Sequence, residues 1–160
     1  MTMRLRPATA EDLPAVVAVF LACWRVSYRG LLPDEVLGRM TDEGAERLGR
    51  EALADPGASV LVAEDDTRVV GVTRWTAGDG TVQSLYVDPG HQGAGTGRAL
   101  LDAAVAALAE GGAHRARLWV FAANTAARGF YARHGWHPEG TVRTQPQFGA
   151  SELALVREIP

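Results

Sequence analysis

The chain has 160 residues, of which 47% are hydrophobic and 22% are charged, as is typical of one globular domain with its own hydrophobic core. A formal net charge of −3 argues against nucleic acid as a partner, and the lack of a long apolar run argues against a membrane. A single cysteine excludes an internal disulfide framework and a cysteine-based zinc site, and no leader-like apolar segment follows residues 1–6. We therefore expect a soluble, cytoplasmic domain.

The first third of the chain has the pattern of one strand followed by helices. Residues 3–6 alternate as in a short strand, and Thr9-x-x-Asp12 resembles the capping box that starts a helix. The apolar residues that follow recur at helical spacing, and Gly30 suits the left-handed conformation that ends such a helix. Two further helical segments are predicted, the second with Thr41 as its N-cap.

The middle of the chain changes to the alternating pattern of strands. Residues 59–63 and 69–76 predict a hairpin, and residues 82–87 predict the strand around which the rest is organised. A turn at residues 88–90 ends that strand, because proline cannot donate to a sheet ladder. A glycine-rich segment then leads into a helix that closes at residues 111–112.

The remaining segment returns to strands on either side of one helix. Residues 117–121 predict a strand, residues 124–134 a helix, and residues 141–143 and 151–158 two more strands. The resulting order, βααα-βββαβαββ, predicts a mixed α/β sheet flanked by helices. We expect residues 1–160 to form a single domain.

The strand, the glycine-rich turn and the start of the helix together predict an anion site. The N–H groups of a first helical turn lack intrahelical partners and lie at the positive end of the helix dipole. Gly93, Gly95 and Gly97 let the backbone approach an anion closely. The segment lacks the lysine of a P-loop, and its spacing does not match the Rossmann fingerprint. It therefore predicts a phosphate site of another kind.

Two motifs carry a resemblance to a known family. The segment Gln92-Gly93-Ala94-Gly95-Thr96-Gly97 fits the pattern Gln/Arg-x-x-Gly-x-Gly/Ala. With the preceding Leu85-Tyr86-Val87-Asp88-Pro89, it closely resembles the pyrophosphate-binding motif of the GNAT superfamily of acetyl-CoA-dependent N-acetyltransferases. Asn124, Phe130-Tyr131 and Gly135-Trp136 are similar to the family's second signature. The resemblance covers nearly the whole chain, and it implies a mostly antiparallel central sheet with a splayed central strand pair.

The resemblance also implies how acetyl-CoA would bind as the acyl donor. Its pantetheine arm would lie between the splayed strands and its pyrophosphate on the glycine-rich turn. A backbone N–H of Leu85 or Tyr86 would stabilise the oxyanion, and Tyr131 would be catalytic as the proton donor to the departing thiolate. This chemistry requires no metal, and we expect none. The residues implied as cofactor-binding are Leu85, Tyr86, Val87, Gln92, Gly93, Ala94, Gly95, Thr96, Gly97, Arg98, Asn124 and Tyr131.

The second partner implied is an acceptor, a primary amine of a small molecule or a peptide. The residues implied beside it are Tyr28, Asp34, Glu35, Gln83 and Phe148. Thr81 and Gln83 stand where relatives often carry a glutamate as general base, and neither accepts a proton at neutral pH. A water chain or a carboxylate from elsewhere in the chain would have to act instead. The candidates are Asp34, Glu35 and Glu152, and the base stays unassigned. The sequence leaves open whether the chain forms a homodimer.

Less specific interpretations stay open beside this one. Tyr131 could be only a core aromatic of its helix, and Asn124 could be only an N-cap, although an N-cap is compatible with ligand contact. Without the expected glutamate, the chain could also be a non-catalytic acyl-CoA-binding or sensing module. Breakdown of acetyl-CoA that is stimulated by a primary amine would distinguish an enzyme from such a module.

Overall fold

A seven-stranded sheet forms the centre of the computed structural model, which describes residues 3–160. The strands are β1 (Met3–Pro7), β2 (Ala58–Asp65), β3 (Arg68–Thr76), β4 (Thr81–Val87), β5 (Arg115–Phe121), β6 (His137–Thr144) and β7 (Ser151–Glu158). The α-helices are α1 (Leu13–Ala22), α2 (Asp34–Gly38), α3 (Asp42–Ala54), α4 (Thr96–Glu110) and α5 (Thr125–Arg133). The predicted order of strands and helices is confirmed.

The strand order is β1-β2-β3-β4-β5-β7-β6, and every neighbouring pair is antiparallel except β4–β5. That parallel pair is registered at one position, Thr81 with Arg117. Gln83 is an extra residue in β4, since Arg74 pairs with Ser84 and Trp75 with Val82. Such a bulge bends its strand and interrupts pairing. The predicted splayed pair is therefore present, and a bulge in β4 accompanies it.

The helices cover both faces of the sheet. On one face α4 buries Leu100, Leu101 and Leu108 completely or almost completely, and α5 packs beside it. On the other face α1 buries Val19 against Val62, with α3 packed on α1. In the part of the chain described, no helix has both the length and the apolar character needed to cross a bilayer.

The start of the first helical segment matches the predicted capping box. A 3-10 turn (Ala10–Asp12) precedes α1, and the Asp12 carboxylate accepts a hydrogen bond of 2.7 Å from the N–H of Thr9. Arg6 donates to both oxygens of Asp12 at 2.8 Å. The hydrogen bonds from Arg6, and then that from Thr9, lower the pKa of Asp12 to about 2. Asp12 is therefore a carboxylate throughout the neutral range.

We expect Asp12→Asn to lower the free energy of unfolding at neutral pH by about 1.5–3 kcal/mol, because its hydrogen bonds involve a charged group. A carboxyl whose pKa is depressed by folding stabilises the protein above its unfolded pKa, and this stabilisation is lost as pH falls through the folded pKa. The unmodified protein should thus lose stability between about pH 4 and the folded value of about 2. Denaturant titrations at several pH values should show that the free energy of unfolding falls less on acidification in the variant than in the unmodified protein. Equal pH dependence in the two proteins would contradict this assignment.

Candidate active site

The divergence of β4 and β5 opens a cavity of about 500 Å³. Its walls are formed by these two strands, the end of the first helical segment, the start of α5, and the region where β6 and β7 meet. All three tyrosines of the chain line it. The predicted site residues that line it are Tyr28, Gln83, Leu85, Tyr86, Val87, Gln92, Asn124, Tyr131 and Phe148.

The glycine-rich turn lies just outside this lining, at the N-terminus of α4. Gly93 has φ +84° and Gly95 has φ +86°, a conformation that residues with side chains rarely adopt. Gly95 is the N-cap of α4, so the turn ends at the positive end of the helix dipole. Gly93, Ala94 and Gly95 are exposed. The structure thus places an accessible, glycine-dependent backbone where the sequence predicted an anion site.

Two side chains of this predicted site have other local roles. The Thr96 side chain is buried, and its methyl group lies 3.1 Å from the point where a Cβ on Gly71 would stand. Thr96 therefore packs against β3, and only its backbone is available to a ligand. Arg98 is exposed, and its Nε lies 3.6 Å from an oxygen of Asp102, one turn later in α4.

Tyr131 lies on α5, whose first turn is capped by Asn124. The Asn124 side chain accepts a hydrogen bond of 3.1 Å from the N–H of Ala127, so its N-cap role is present. The Tyr131 ring packs against Phe130 and Trp136 at centroid distances of 5.4 and 6.2 Å. Burial, with a smaller contribution from Tyr86, raises the pKa of Tyr131 well above its usual range. Tyr131 is thus both a packed aromatic and a protonated phenol in the cavity wall.

Aromatic rings close one end of the cavity. Tyr28 contacts Trp24 and Phe121 edge-on at 5.5 and 5.6 Å, and Phe148 contacts the same two rings at 5.9 and 5.6 Å. Burial raises the pKa of Tyr28 well above its usual value, so its phenol is also protonated. Sequence reasoning anticipated Tyr28 and Phe148 here but missed Phe121, because no local pattern links a strand residue to these distant segments.

The structure does not bring Asp34 and Glu35 to the cavity. Both are exposed in the first turn of α2, and Glu35 forms an ion pair with Arg39 at 2.7 Å. Instead, Val36 and Leu37 of this helix are partly buried and pack against the aromatic rings at that end of the cavity, here called the aromatic cluster. Because packing of these apolar residues sets the rotation of α2, the acidic residues face solvent.

Polar residues from β5, β6 and β7 also line the cavity, and most of them were missed by sequence reasoning. The guanidinium groups of Arg117 and Arg143 stack on Trp119 at 4.7 and 4.1 Å. Glu152 is 7% exposed, and one of its oxygens accepts hydrogen bonds from Arg143 at 3.1 Å and from Gln145 at 2.6 Å. Of the three base candidates in the sequence, Glu152 alone is among the lining residues in the described chain.

The two positions on β4 that lack the expected glutamate also line the cavity. The Gln83 amide donates to the Thr76 hydroxyl at 3.1 Å, and the Thr81 N–H donates to Asp79 at 3.2 Å. Neither side chain can accept a proton at neutral pH. Any protein base in this cavity must therefore come from another strand or turn.

Cys23 also lines the cavity but is unsuited to act as a nucleophile. Its thiol is buried and donates a hydrogen bond of 3.1 Å to the carbonyl oxygen of Val87. Burial raises the pKa of Cys23 to about 11. Since the thiolate is the reactive form, this residue is largely unreactive at neutral pH.

Comparison with known proteins identifies relatives of this chain. The model of the acetyltransferase (GNAT) family matches residues 17–136. An uncharacterized N-acetyltransferase of Mycobacterium tuberculosis is 37% identical over 115 residues, which cover 68% of this chain and 72% of the relative. A mycothiol acetyltransferase of Beutenbergia cavernae is 35% identical over 116 residues, or 70% of this chain. The match spans only 38% of that longer protein.

Solved structures show the same fold at low sequence identity. The PaiA N-acetyltransferase of Thermoplasma acidophilum, determined in complex with coenzyme A, has a TM-score of 0.80 at 19% identity, with 99% of this chain and 100% of that chain covered. A GCN5-related N-acetyltransferase of Rhodopseudomonas palustris has a TM-score of 0.84 at 21% identity, with 99% and 97% covered. The single mostly antiparallel sheet with its flanking helices is therefore the fold of these proteins.

Proposed function

Because this chain belongs to the acetyltransferase (GNAT) family, we propose that it transfers the acetyl group of acetyl-CoA directly to a primary amine of a small molecule or a peptide. The observation that carries the proposal is the junction of three features: the splayed β4–β5 pair, the glycine-rich turn at α4, and a protonated Tyr131 in the cavity between them. Its relatives are named as an N-acetyltransferase and a mycothiol acetyltransferase, which supports an acyltransferase activity.

The residues present fit acetyl-CoA. One edge of β4 pairs with β3 at Leu85, Tyr86 and Val87, whereas its other edge is paired with β5 only at Thr81 within the described chain. The free edge at Leu85–Val87 therefore offers backbone groups to the amide groups of a pantetheine arm. The turn from Gln92 to Gly97, with its left-handed glycines and helix N-terminus, offers backbone N–H groups to a pyrophosphate.

Acetyl-CoA supplies the acetyl group as a thioester. A backbone N–H of Leu85 or Tyr86 stabilises the negative charge that develops on the acetyl oxygen as the amine attacks. Tyr131 donates a proton to the departing sulfur, and its raised pKa keeps that proton available. The cavity holds the amine and the thioester in contact, so much of the rate enhancement arises from proximity.

The proposal is tested by incubating the protein with acetyl-CoA and a library of primary amines and measuring the release of free CoA. We expect at least one amine to stimulate release well above the rate without amine, with an acetylated amine as the product. Tight acetyl-CoA binding, with no amine that stimulates the release of free CoA, would favour an acyl-CoA-binding or sensing module. Binding of CoA no tighter than that of a free nucleotide would contradict the predicted cofactor site.

Direct transfer predicts that Cys23→Ala leaves kcat nearly unchanged. The buried thiol with its pKa of about 11 does not provide a nucleophile, so no acetyl-enzyme forms on it. Initial rates at varied concentrations of both substrates should give the intersecting lines of a ternary-complex mechanism. Parallel lines together with an inactive Cys23→Ala protein would show that the acetyl group passes through the cysteine.

A further inference from the structure

Among residues 3–160, two carboxylate side chains line the cavity, those of Asp79 and Glu152. Asp79 is committed to the turn before β4, where it accepts hydrogen bonds from the Thr76 hydroxyl and from the Thr81 N–H. These contacts lower the pKa of Asp79, which makes it a weaker proton acceptor. Asp79 is also exposed, whereas Glu152 is buried, so Glu152 is the carboxylate to consider for contact with an acceptor amine.

Glu152 is held so that one carboxylate oxygen is left free. Arg143 and Gln145 both donate to its Oε1, at 3.1 and 2.6 Å, and in the described chain no hydrogen bond reaches its Oε2. The Arg143 guanidinium is itself fixed by stacking on Trp119 at 4.1 Å. The carboxylate thus has a defined orientation and a vacant acceptor atom at the wall of the cavity.

Glu152 interacts electrostatically with one of the tyrosines that line the cavity. Burial, followed by the neighbouring Cys23 and Glu152, raises the pKa of Tyr86 to about 12. Tyr86 in turn contributes to the raised pKa of Tyr131. Glu152, Tyr86 and Tyr131 all line the same cavity. A group bound at Glu152 therefore lies in the cavity that also holds the phenol that would protonate the leaving sulfur.

One aromatic ring stands beside the same carboxylate, and two others contact that ring. Glu152 is the register partner of Phe121 on β5, so the two side chains stand next to each other on one face of the sheet. Tyr28 and Phe148 each contact Phe121 at 5.6 Å. A carboxylate beside aromatic rings suits an ammonium group, which is attracted by both, and the rings also provide an apolar surface for its substituent.

We propose that Glu152 binds the acceptor as a primary ammonium carried on an apolar or aromatic group, and that it takes the proton whose loss makes the nitrogen nucleophilic. The assignment rests on the proposed acetyl transfer. The C–N bond forms as the C–S bond breaks, and Tyr131 protonates the sulfur. The first ammonium proton leaves through Glu152 to solvent, and the second replaces the proton that Tyr131 gave. The ammonium and the thioester thus yield an amide, a thiol and one proton.

The test compares Glu152→Gln with the unmodified protein on two amines, 2-phenylethylamine and 2,2,2-trifluoroethylamine. The first amine is almost wholly protonated at neutral pH, whereas the second is largely neutral and needs no proton removed before attack. We expect kcat/KM for 2-phenylethylamine to fall by roughly 10²-fold or more, the range for a positioned general base, and the loss for trifluoroethylamine to be much smaller. The dissociation constant for acetyl-CoA should not change. An equal loss for both amines, or no loss, would overturn the assignment.

Three further variants and one binding measurement complete the design. Glu46→Gln makes the same substitution on the exposed face of α3 and should behave as the unmodified protein. Glu152→Asp should keep more activity than Glu152→Gln, because the charge remains. An amine-selective loss in Asp79→Asn instead would assign the role to Asp79 and overturn the proposal.

The binding measurement uses the unmodified protein with CoA and therefore needs no folded variant. By calorimetry, 2-phenylethylamine should bind more tightly than 2-phenylethanol, which has the same ring but no charge. Equal affinities would overturn the ammonium site. If no amine is acetylated although 2-phenylethylamine binds selectively, the proposed function fails while the Glu152 site remains supported.

Discussion

Gly95→Val is expected to reduce acetyl-CoA binding below the limit of calorimetric detection while the protein still folds. A Cβ at this position would meet no protein atom within 4 Å, so the added side chain would project into the open space before the first turn of α4. In the proposed function, that space is where the pyrophosphate approaches the backbone N–H groups. The left-handed φ of +86° adds conformational strain of about 1–2 kcal/mol to the folded state.

The strain and the steric effect are separated by a matched control at the other end of the same helix. Gly112 also has a left-handed φ, +94°, and a Cβ there would likewise meet no atom within 4 Å. Gly112→Val should therefore lose a similar amount of stability in thermal unfolding but bind acetyl-CoA as the unmodified protein does. A folded Gly95→Val protein with unchanged affinity would place the pyrophosphate elsewhere.

Tyr131→Phe is expected to lower kcat by roughly 10²-fold, within the range for loss of a positioned general acid. The substitution keeps the ring that packs between Phe130 and Trp136 and removes only the hydroxyl. Because the lost interaction forms only in the transition state, kcat and kcat/KM should fall together, with the dissociation constant of acetyl-CoA little changed. Single-turnover rates and equilibrium binding measure the two effects separately.

The pH dependence adds a second test of Tyr131. Burial raises its pKa above the usual tyrosine value of about 10, so its proton donor persists through the neutral and moderately alkaline range. Any alkaline decrease in kcat that Tyr131 produces should begin above about pH 10 and should flatten in Tyr131→Phe. Tyr28→Phe removes another phenol of the same cavity and should change the KM for the amine rather than kcat. Turnover of Tyr131→Phe at the parental rate would show that water or another residue is the acid.

Local sequence patterns determined the order of strands and helices and the glycine-rich turn. The capping box at Thr9 and Asp12, the N-caps Thr41 and Asn124, and the left-handed Gly95 are all properties of a few consecutive residues. Such patterns depend on short-range hydrogen bonds and backbone sterics, so they are visible without the fold. The splayed strand pair was implied by the family resemblance rather than by any local pattern.

The composition of the polar wall was decided only by the tertiary structure. Trp119, Arg143 and Glu152 are brought together by the pairing of β7 with both β5 and β6, and their spacing along the chain does not predict the contact. Packing likewise turned Asp34 and Glu35 to solvent, because the apolar residues of α2 face the aromatic cluster. The sequence alone predicted the glycine-rich turn at the start of α4, since that turn depends on the backbone geometry of one continuous segment. Strand register and helix packing decided which carboxylates line the cavity, since those contacts join residues far apart in the chain.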